Sequence, residues 1–326
     1  MKYRYFSNTG WKVSEIGLGC WGIGGSWTDV STNTANQILK KSLDLGINFF
    51  DTADVYGNGK SEKIIGKFFK DTKIKKYIAT KVGNKIKPHL PEKYNTQVFE
   101  KFIDQSLKNL GIDTIDLLQL HCPPRQLCGN YLIHEMMNNF IKKGKIKHYG
   151  FSVFNLSEAY SALNFENVKS IQLVFNILRQ EPKKEFLQKA KQKNVAIIAR
   201  GPLASGLLSG AINFKSSFAP SDHRNYNISG KAFDIGDTFA GIPLEISLKA
   251  IDKLKKILPN NFSLIDLAIK WVLMSKEVTV TIPGATNPLH AELNSASSDK
   301  KSINYLMKDI EGIYDEIILP YARGKW

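Results

Sequence analysis

The chain has 326 residues, enough for one large core or for two ordinary domains. Its 43% hydrophobic and 23% charged residues are typical of a globular protein and exclude a disordered or fibrous one. No apolar run approaches the roughly 20 residues that span a bilayer, and the first residues carry no signal-peptide core, so a cytoplasmic protein without a membrane partner is predicted. Three cysteines, Cys20, Cys122 and Cys128, form neither a disulfide framework nor a paired zinc motif.

The formal net charge of +15 raises the question of a nucleic-acid partner. The positive charge is mostly lysine spread along helix-like segments such as residues 37–46, without an arginine cluster or an interleaved aromatic stripe. We interpret it as a solvated basic surface and predict no nucleic-acid binding. An anionic small molecule such as a nucleotide would nevertheless be attracted by this charge.

In chain order, short runs rich in Ile, Val and Leu alternate with segments of helical period. The amino-terminal segment comes first, and its Asn8-Thr9-Gly10 turn between alternating stretches predicts a β-hairpin that closes the floor of the fold. Eight strands are predicted after it, at Glu15–Cys20, Ile47–Thr52, Lys76–Val82, Thr114–Leu120, Lys147–Phe151, Lys169–Val174, Val195–Ala199 and Val278–Ile282.

The clearest helix is predicted over Asn95–Leu110, where apolar residues recur at spacings of three and four and Gly111 follows at the position of a C-cap glycine. A second helix is predicted after residues 57–60, with Ser61 as its cap. Eight βα units without a break in composition predict an α/β protein, a closed parallel (β/α)8 TIM barrel with the N-terminal hairpin, so that residues 1–326 form a single domain.

Such a barrel carries its chemistry on the loops that follow the carboxyl ends of the strands. Asp51, Asp54 and Tyr56 follow the second predicted strand, Lys81 closes the third and His121 follows the fourth. Lys81 or His121 alone is equally well explained as a structural residue. Their joint occurrence at equivalent positions of successive strands predicts a site at the barrel mouth.

The chemistry of these residue types favours a proton donor. A tyrosine with a pKa of about 10 is a poor acid at neutral pH, but a nearby ammonium lowers that pKa, and a carboxylate can hold the ammonium in place. Asp51, Lys81 and Tyr56 would then form the donor, and His121 would orient or polarise a carbonyl oxygen. A metal site would use Asp51, Asp54 and His121, but Lys81 would add an opposing charge, so no metal is predicted and Asp54 is interpreted as a rim residue.

The chain resembles the aldo-keto reductase superfamily over nearly its whole length. The motifs occur in that family's order: GLGCWGIGG at 17–25, DTADVYG at 51–57, TKVG at 80–83, IDLLQLH at 115–121, GPLASGLLSG at 201–210 and TIPGA at 281–285. The resemblance implies a (β/α)8 barrel that reduces carbonyls or oxidises alcohols with NADP(H). It also implies a catalytic tetrad at Asp51, Tyr56, Lys81 and His121.

The resemblance implies cofactor residues as well. At the nicotinamide these are Ser152 and Gln172; Val153 replaces an amide, for which Asn155 or Asn176 is a possible substitute, and Arg200 replaces a stacking tyrosine. The positive charge of Arg200 would disfavour the oxidised cofactor and mildly favour reduction. The remaining cofactor residues are Gly22, then Gly201, Leu203, Ser205, Leu207 and Ser209 at the pyrophosphate, and Gly284, Thr286, His290 and Asn294 at the adenine end. Thr286 and His290 stand near positions where the family often has Arg or Lys, so the 2′-phosphate site is the weakest match. The resemblance favours NADP, and NAD stays an alternative.

The segment 211–241 is too long for an ordinary βα loop and is interpreted as a lid or substrate loop. His223 and Arg224 are candidates for binding an anionic or sugar-like substrate, although Arg224 would equally pair with a neighbouring aspartate. Trp21, Trp27 and Trp326 are candidates for aromatic walls, with Trp21 best placed.

The expected function is reduction of an aldehyde or ketone, which would be the small-molecule partner, with Tyr56 as proton donor. Two alternatives stay open. One is a nucleotide-binding, redox-sensing regulatory subunit with little catalysis. The other is a sugar dehydrogenase that works in the oxidative direction. The sequence leaves the substrate and the oligomeric state open.

Overall fold

A computed structural model describes residues 1–25 and 30–322 of the chain. Within these ranges the strands are β1 Tyr3–Phe6, β2 Trp11–Ser14, β3 Leu18–Gly19, β4 Phe49–Asp51, β5 Tyr77–Val82, β6 Ile115–His121, β7 Ile146–Ser152, β8 Val168–Val174, β9 Ala196–Arg200 and β10 Val278–Thr281. The α-helices are α1 Thr32–Asp44, α2 Lys60–Phe69, α3 Thr96–Leu110, α4 Tyr131–Lys142, α5 Leu156–Ala162, α6 Phe186–Gln192, α7 His223–Tyr226, α8 Leu244–Lys256, α9 Leu264–Met274, α10 Pro288–Ala296, α11 Met307–Ile313 and α12 Leu319–Ala322.

Strands β3 to β10 form one parallel sheet in which each strand pairs with its neighbour in the chain. The two edges meet, because the amide of Gly17 donates to the carbonyl of Thr281 and the amide of Gly19 donates to that of Pro283. The predicted (β/α)8 barrel is confirmed. The first barrel strand is shorter than predicted, since Ile16 reaches Thr281 only through an isolated bridge. The single-domain organisation stays a prediction.

Helix α3 begins one residue after the predicted start and ends at the predicted residue, for a local reason at each end. The Asn95 side chain accepts a hydrogen bond from the amide of Val98 at 3.1 Å, which caps the first turn. Gly111 ends the helix with a left-handed φ of 64°, a conformation that costs least without a Cβ. The face predicted to be packed contained five residues. Four of them, Phe99, Ile103, Ser106 and Leu110, are buried, and Phe102 is half-buried.

The N-terminal hairpin of β1 and β2 is present and closes the barrel floor. Phe6 is fully buried and stacks on Phe49 of β4 with ring centroids 5.6 Å apart. The Arg4 guanidinium donates to Glu15 at 2.9 Å and to the carbonyls of Leu273, Ser275 and Val278. The hairpin is therefore held to the barrel by the buried Phe6 ring and by the hydrogen bonds of Arg4.

The cap predicted for α2 was wrong. Gly59, with a left-handed φ of 87°, is the N-cap residue, and Ser61 lies inside the first turn. The Ser61 hydroxyl is buried, accepts from Thr52 Oγ1 at 2.8 Å and donates to the Cys20 carbonyl at 3.0 Å. Ser61 therefore ties α2 to the ends of β3 and β4 instead of capping the helix.

The segment after β9 contains only the short helix α7 and 3₁₀ turns at Ala204–Ser209, Ile235–Asp237 and Phe239–Gly241. Its fold is held by polar contacts, above all those of the buried Asn227. The Asn227 side chain accepts from the amides of Ala232 and Phe233 and donates to Thr238 Oγ1 at 3.1 Å. No helix in the described ranges has both the length and the apolar character needed to cross a membrane.

Candidate active site

The four tetrad residues come together at the carboxyl ends of adjacent strands. Asp51 ends β4, Lys81 lies near the end of β5 and His121 ends β6. Tyr56 is in the turn after β4, where its amide donates to the carbonyl of Ala53 at 3.1 Å. Asp51, Tyr56 and His121 line a cavity of about 630 Å³, and Lys81 lies beneath it with no exposed surface.

Lys81 is the centre of the hydrogen-bond network. Its Nζ donates to Asp51 Oδ1 at 2.5 Å, to the Thr52 carbonyl at 2.9 Å and to Tyr56 Oη at 3.0 Å. These three bonds use all three ammonium hydrogens. Since Tyr56 Oη is the acceptor of this bond, the Tyr56 hydroxyl hydrogen is left to point into the cavity.

Two glutamines complete the environment of Asp51. The side-chain amides of Gln119 and Gln172 donate to Asp51 Oδ2 at 3.1 Å and 2.7 Å. Gln119 was missed in the sequence, although it lies two residues before His121 on β6, the spacing that places two side chains on one face of a strand. Gln172, expected at the nicotinamide, is thus also part of the tetrad network.

Burial and charge determine the protonation states. Burial raises the pKa of Tyr56, and the opposing effect of Lys81 is smaller. Burial acts to lower the pKa of Lys81, but the Asp51 carboxylate and Tyr56 outweigh it, so that pKa is raised. Burial, together with Lys81 and Arg200, holds the pKa of His121 well below its usual value. At neutral pH the site therefore contains a protonated tyrosine, an ammonium and a neutral imidazole.

Asp54 is not the rim residue expected from the sequence. Its side chain is buried, with 3% of the residue exposed, and neither carboxylate oxygen has a hydrogen-bond partner of normal geometry among the described residues. Burial raises the pKa of Asp54 to about 7; Lys85 opposes this rise and Glu62 adds to it. The amide of Asp54 donates to the Lys81 carbonyl at 3.1 Å, and this bond holds the turn after β4 against the end of β5.

At the nicotinamide end predicted from the sequence, Ser152, Gln172 and Arg200 all line the cavity. The Ser152 hydroxyl is 3.5 Å from Gln172 Oε1. Asn155, a possible substitute for the missing amide, instead caps α5 by accepting from the amide of Glu158. Asn176, the other candidate, lines the cavity and donates to the Gly201 carbonyl at 2.8 Å.

Arg200 is paired in a way that the sequence did not indicate. One guanidinium nitrogen, Nη1, bonds the Asp237 carboxylate, and Nη2 donates to the Val153 carbonyl at 3.0 Å. Asp237 also lines the cavity and lies in the long segment after β9. No short-range pattern links it to Arg200, and only the interpretation of that segment as a lid suggested that it reaches the mouth.

The predicted pyrophosphate segment forms a turn along the same cavity. Gly201, Leu203, Ser205 and Ser209 line it, whereas the Leu207 side chain lies in the hydrophobic core. Leu203 has a φ of −99° and is followed by left-handed Ala204, with a φ of 46°. Such a change of backbone hand turns successive N–H groups toward one side, which suits an anion.

At the predicted adenine end, Gly284, Thr286, His290 and Asn294 line the cavity. Thr286 Oγ1 lies 3.2 Å from His290 Nδ1, and burial lowers the pKa of His290. Gly22 does not line the cavity but packs behind this end, where an added Cβ would lie 3.1 Å from the Ala285 carbonyl oxygen.

The residues present therefore fit a nicotinamide dinucleotide. The cavity has the size of a small-molecule or cofactor site. It runs from the tetrad along the turn of residues 201–210 to the adenine end. The Arg200 Nε hydrogen is buried without a partner in the described part of the chain, a further sign of a polar ligand beside it.

Of the predicted substrate residues, Trp21 and Arg224 line the cavity and His223 does not. The Trp21 ring lies 4.7 Å from the His223 ring and 6.1 Å from that of Tyr56, between centroids. Arg224 Nη2 pairs with Asp222 Oδ2 at 2.6 Å. Trp27 and Trp326 lie outside the described residues.

The family model described as the Aldo/keto reductase family matches residues 15–315. The chain belongs to this family. The match includes every strand of the barrel and all four tetrad residues, and this aldo/keto reductase is therefore an oxidoreductase of a family that uses nicotinamide cofactors.

Similar proteins agree with this assignment. Aldo-keto reductase YhdN of Bacillus subtilis is 30% identical over 95% of this chain and 94% of its own. Aldo-keto reductase yakc of Schizosaccharomyces pombe, whose name specifies NADP(+), is 27% identical over 95% of this chain and 91% of its own. Among solved structures, glycerol dehydrogenase AKR11B4 of Gluconobacter oxydans is 24% identical and matches with a TM-score of 0.77 over 98% of this chain and 96% of its own. That structure supports the barrel fold.

Proposed function

We propose that this chain reduces an uncharged aldehyde or ketone to the alcohol with NADPH, and that Tyr56 donates the proton. The observation that carries the proposal is the 3.0 Å contact in which Lys81 Nζ donates to Tyr56 Oη. That contact leaves the phenol hydrogen available to a substrate and places a cation where negative charge develops when the proton leaves.

When bound, the cofactor supplies the hydride that reaches the carbonyl carbon. The chain acts on the carbonyl oxygen, which receives its proton from Tyr56 Oη. The Lys81 ammonium stabilises the phenolate that remains, and Asp51, bonded at 2.5 Å, keeps Lys81 charged and in place. His121 is neutral and donates an N–H hydrogen bond to the same oxygen, which orients the carbonyl.

The lining of the cavity supports an uncharged substrate. Its aromatic walls include Trp21, Phe154 and Phe233. The two arginines that line it, Arg200 and Arg224, each lie against a carboxylate. An anionic substrate would therefore gain little from them, while the flat rings suit an apolar or sugar-like carbonyl compound.

We propose that the protein binds NADP(H) modestly more tightly than NAD(H). Thr286 and His290 line the cavity at this end, and the Thr286 hydroxyl, now 3.2 Å from His290 Nδ1, could turn to donate to a 2′-phosphate. The name of the yeast relative specifies NADP(+). The lowered pKa of His290 leaves its imidazole neutral at neutral pH, so it brings no fixed charge to the phosphate.

The test is turnover of NADPH and NADH with a panel of aldehydes, ketones and sugars, for the wild type, Tyr56→Phe and Tyr226→Phe. Tyr226 is a matched control because its phenol also lines the cavity without contacting Lys81. We expect Tyr56→Phe to lose about 10²–10⁴-fold in kcat, as for loss of a general acid, and Tyr226→Phe to stay near the wild type. Both variants should bind NADPH as the wild type does.

The pH profile adds a second readout. Since burial raises the pKa of Tyr56, the reductive rate should stay flat through neutral pH and fall only in strongly alkaline solution. Equal, slow turnover by the wild type and Tyr56→Phe would overturn the proposal and favour the regulatory alternative. Faster turnover of an alcohol with NADP(+) than of any carbonyl compound would favour the oxidative alternative.

A further inference from the structure

We propose that Asp237 sets the ratio of the affinities for oxidised and reduced cofactor, by offsetting the charge of Arg200 beside the nicotinamide ring. The inference rests on the proposed function, because it requires a bound nicotinamide. The sequence indicated only the positive charge of Arg200 at this position. In the structure, Arg200 forms an ion pair with the Asp237 carboxylate.

The place of the ring follows from the chemistry of the site. A carbonyl oxygen that meets Tyr56 and His121 puts its carbon just outside the tetrad, and a hydride donor must come within about 3–3.5 Å of that carbon. Ser152, Gln172 and Arg200 line the same cavity. Gln172 bonds Asp51 of the tetrad, and Arg200 bonds the carbonyl of the residue that follows Ser152. A redox ring at the tetrad therefore lies close to Arg200.

The guanidinium is fixed in position at this point. Its Nη2 donates at 3.0 Å to the carbonyl of Val153, which follows Ser152 in the chain. Its field extends to the tetrad. Burial and Lys81 lower the pKa of His121 most, and Arg200 adds to this; at Tyr56, whose pKa burial raises, Arg200 is a small opposing cation. A ring that becomes cationic on oxidation would experience the same field.

Asp237 is held against Arg200 by the turn that contains it. Ser205, in the pyrophosphate segment, donates to the Asp237 carbonyl at 2.9 Å and accepts from the amide of Phe239 at 3.3 Å. The side chains of Arg200 and Asp237 are each only 17% exposed. Solvent therefore screens this pair weakly, and the two charges act on the ring together as a nearly neutral unit.

The charges have opposite effects on the two cofactor forms. The ring carries a positive charge when oxidised and none when reduced, whereas the phosphates carry the same charge in both forms. A change in the local field at the phosphates therefore cancels in the ratio of the two dissociation constants. The ratio of Kd for the oxidised form to Kd for the reduced form reports the charge beside the ring.

The experiment is a charge cycle read by binding. Dissociation constants for NADP(+) and NADPH are measured by calorimetry or fluorescence for the wild type, Asp237→Asn, Arg200→Gln and the double variant. Asp237→Asn should raise the ratio about tenfold, because the unpaired guanidinium repels the oxidised ring. Arg200→Gln should lower it, because the carboxylate then stands alone. The double variant should return to the wild-type ratio.

Asp234→Asn is the matched control. It makes the same charge change three residues away in the same turn, and asparagine can still accept the hydrogen bond from the Gly236 amide. Because Asp234 acts on the Arg179 guanidinium, its loss should change the ratio much less than the loss of Asp237 does. Asp237→Glu keeps the carboxylate and should hold the ratio close to the wild-type value.

Two results are decisive against the inference and leave the proposed function intact. One is an equal change of both dissociation constants in Asp237→Asn, which would mean that Asp237 only fastens the segment. The other is a double variant that keeps the tenfold rise. If the wild type binds neither cofactor form, the proposed function itself fails.

Discussion

At the scale of single residues, the buried Asp54 carboxylate is a source of pH-dependent stability. Burial raises its pKa in the folded state to about 7, above its usual 3.8, so folding takes up a proton there. Its contribution is full below about pH 4 and is lost as the pH rises through about 7. At 1.36 kcal/mol for each tenfold change in acidity, the loss is on the order of 4 kcal/mol.

We therefore expect Asp54→Asn, which cannot ionise, to gain about 2–3 kcal/mol of stability relative to the wild type between pH 5 and pH 8. Urea unfolding of both proteins at the two pH values measures this. Any constant cost of the asparagine amide cancels in the comparison. The exposed Asp71→Asn is the control and should show no such gain, and a difference that does not change with pH would contradict the expectation.

At the scale of elements, α2 and α3 pack so closely that a glycine is required between them. A Cβ on Gly66 of α2 would lie 2.5 Å from the Leu110 carbonyl oxygen and 2.6 Å from that of Asn109. Both are backbone atoms, so neither can turn aside. The steric cost of an added Cβ at Gly66 therefore exceeds the gain in helix propensity that alanine would bring.

We expect Gly66→Ala to lower the free energy of unfolding by about 1–3 kcal/mol, although alanine favours helix. The matched control is Gly312→Ala in α11, where nothing lies within 4 Å of an added Cβ. That change should stabilise the protein by about 0.5–1 kcal/mol. Chemical denaturation measures both, and shifts of the same sign would show that packing at Gly66 is not the deciding term.

At the scale of the whole molecule, the net charge of +15 should act on the anionic cofactor through the solvent. We expect the affinity for NADPH to fall several-fold between about 0.05 M and 0.5 M salt, because screening shortens the reach of the field. The affinity for NADH should fall less, since it lacks the 2′-phosphate.

A titration series in salt measures this prediction, with a short DNA duplex as the control ligand. The duplex should not bind at about 0.15 M salt, since the lysines are spread along the chain without an arginine cluster that would hold successive phosphates. Binding of the duplex there would overturn the prediction that the protein binds no nucleic acid. If the affinities for NADPH and NADH are both insensitive to salt, the net positive charge does not contribute to cofactor binding.

Much of the fold and part of the site followed from local patterns. Short apolar runs and helices of period 3.6 are properties of neighbouring residues, and eight of the former predicted the barrel. The tetrad followed because the carboxyl ends of parallel strands share one rim, so that position in the chain predicts proximity in space. The same reasoning extends to Gln119, which shares a strand face with His121.

Other parts depended on contacts that no local pattern contains. Asp54 and Ser61 are buried because other parts of the chain pack against the turn after β4 and the start of α2. The residue types alone do not reveal this burial. Asp237 lies in an irregular segment, whose path is set by single side chains such as Asn227 instead of by a periodic backbone.

The amino-acid sequence by itself thus determined the barrel, the positions of the tetrad and the family, because each depends on periodicity or on motifs read along the chain. Only the tertiary structure decided the protonation states of Tyr56 and His121, since burial and distant charges shift a pKa. It also decided that Arg200 is paired with Asp237. That pairing joins residues far apart in the chain, and only the folded segment after β9 brings their charges into contact.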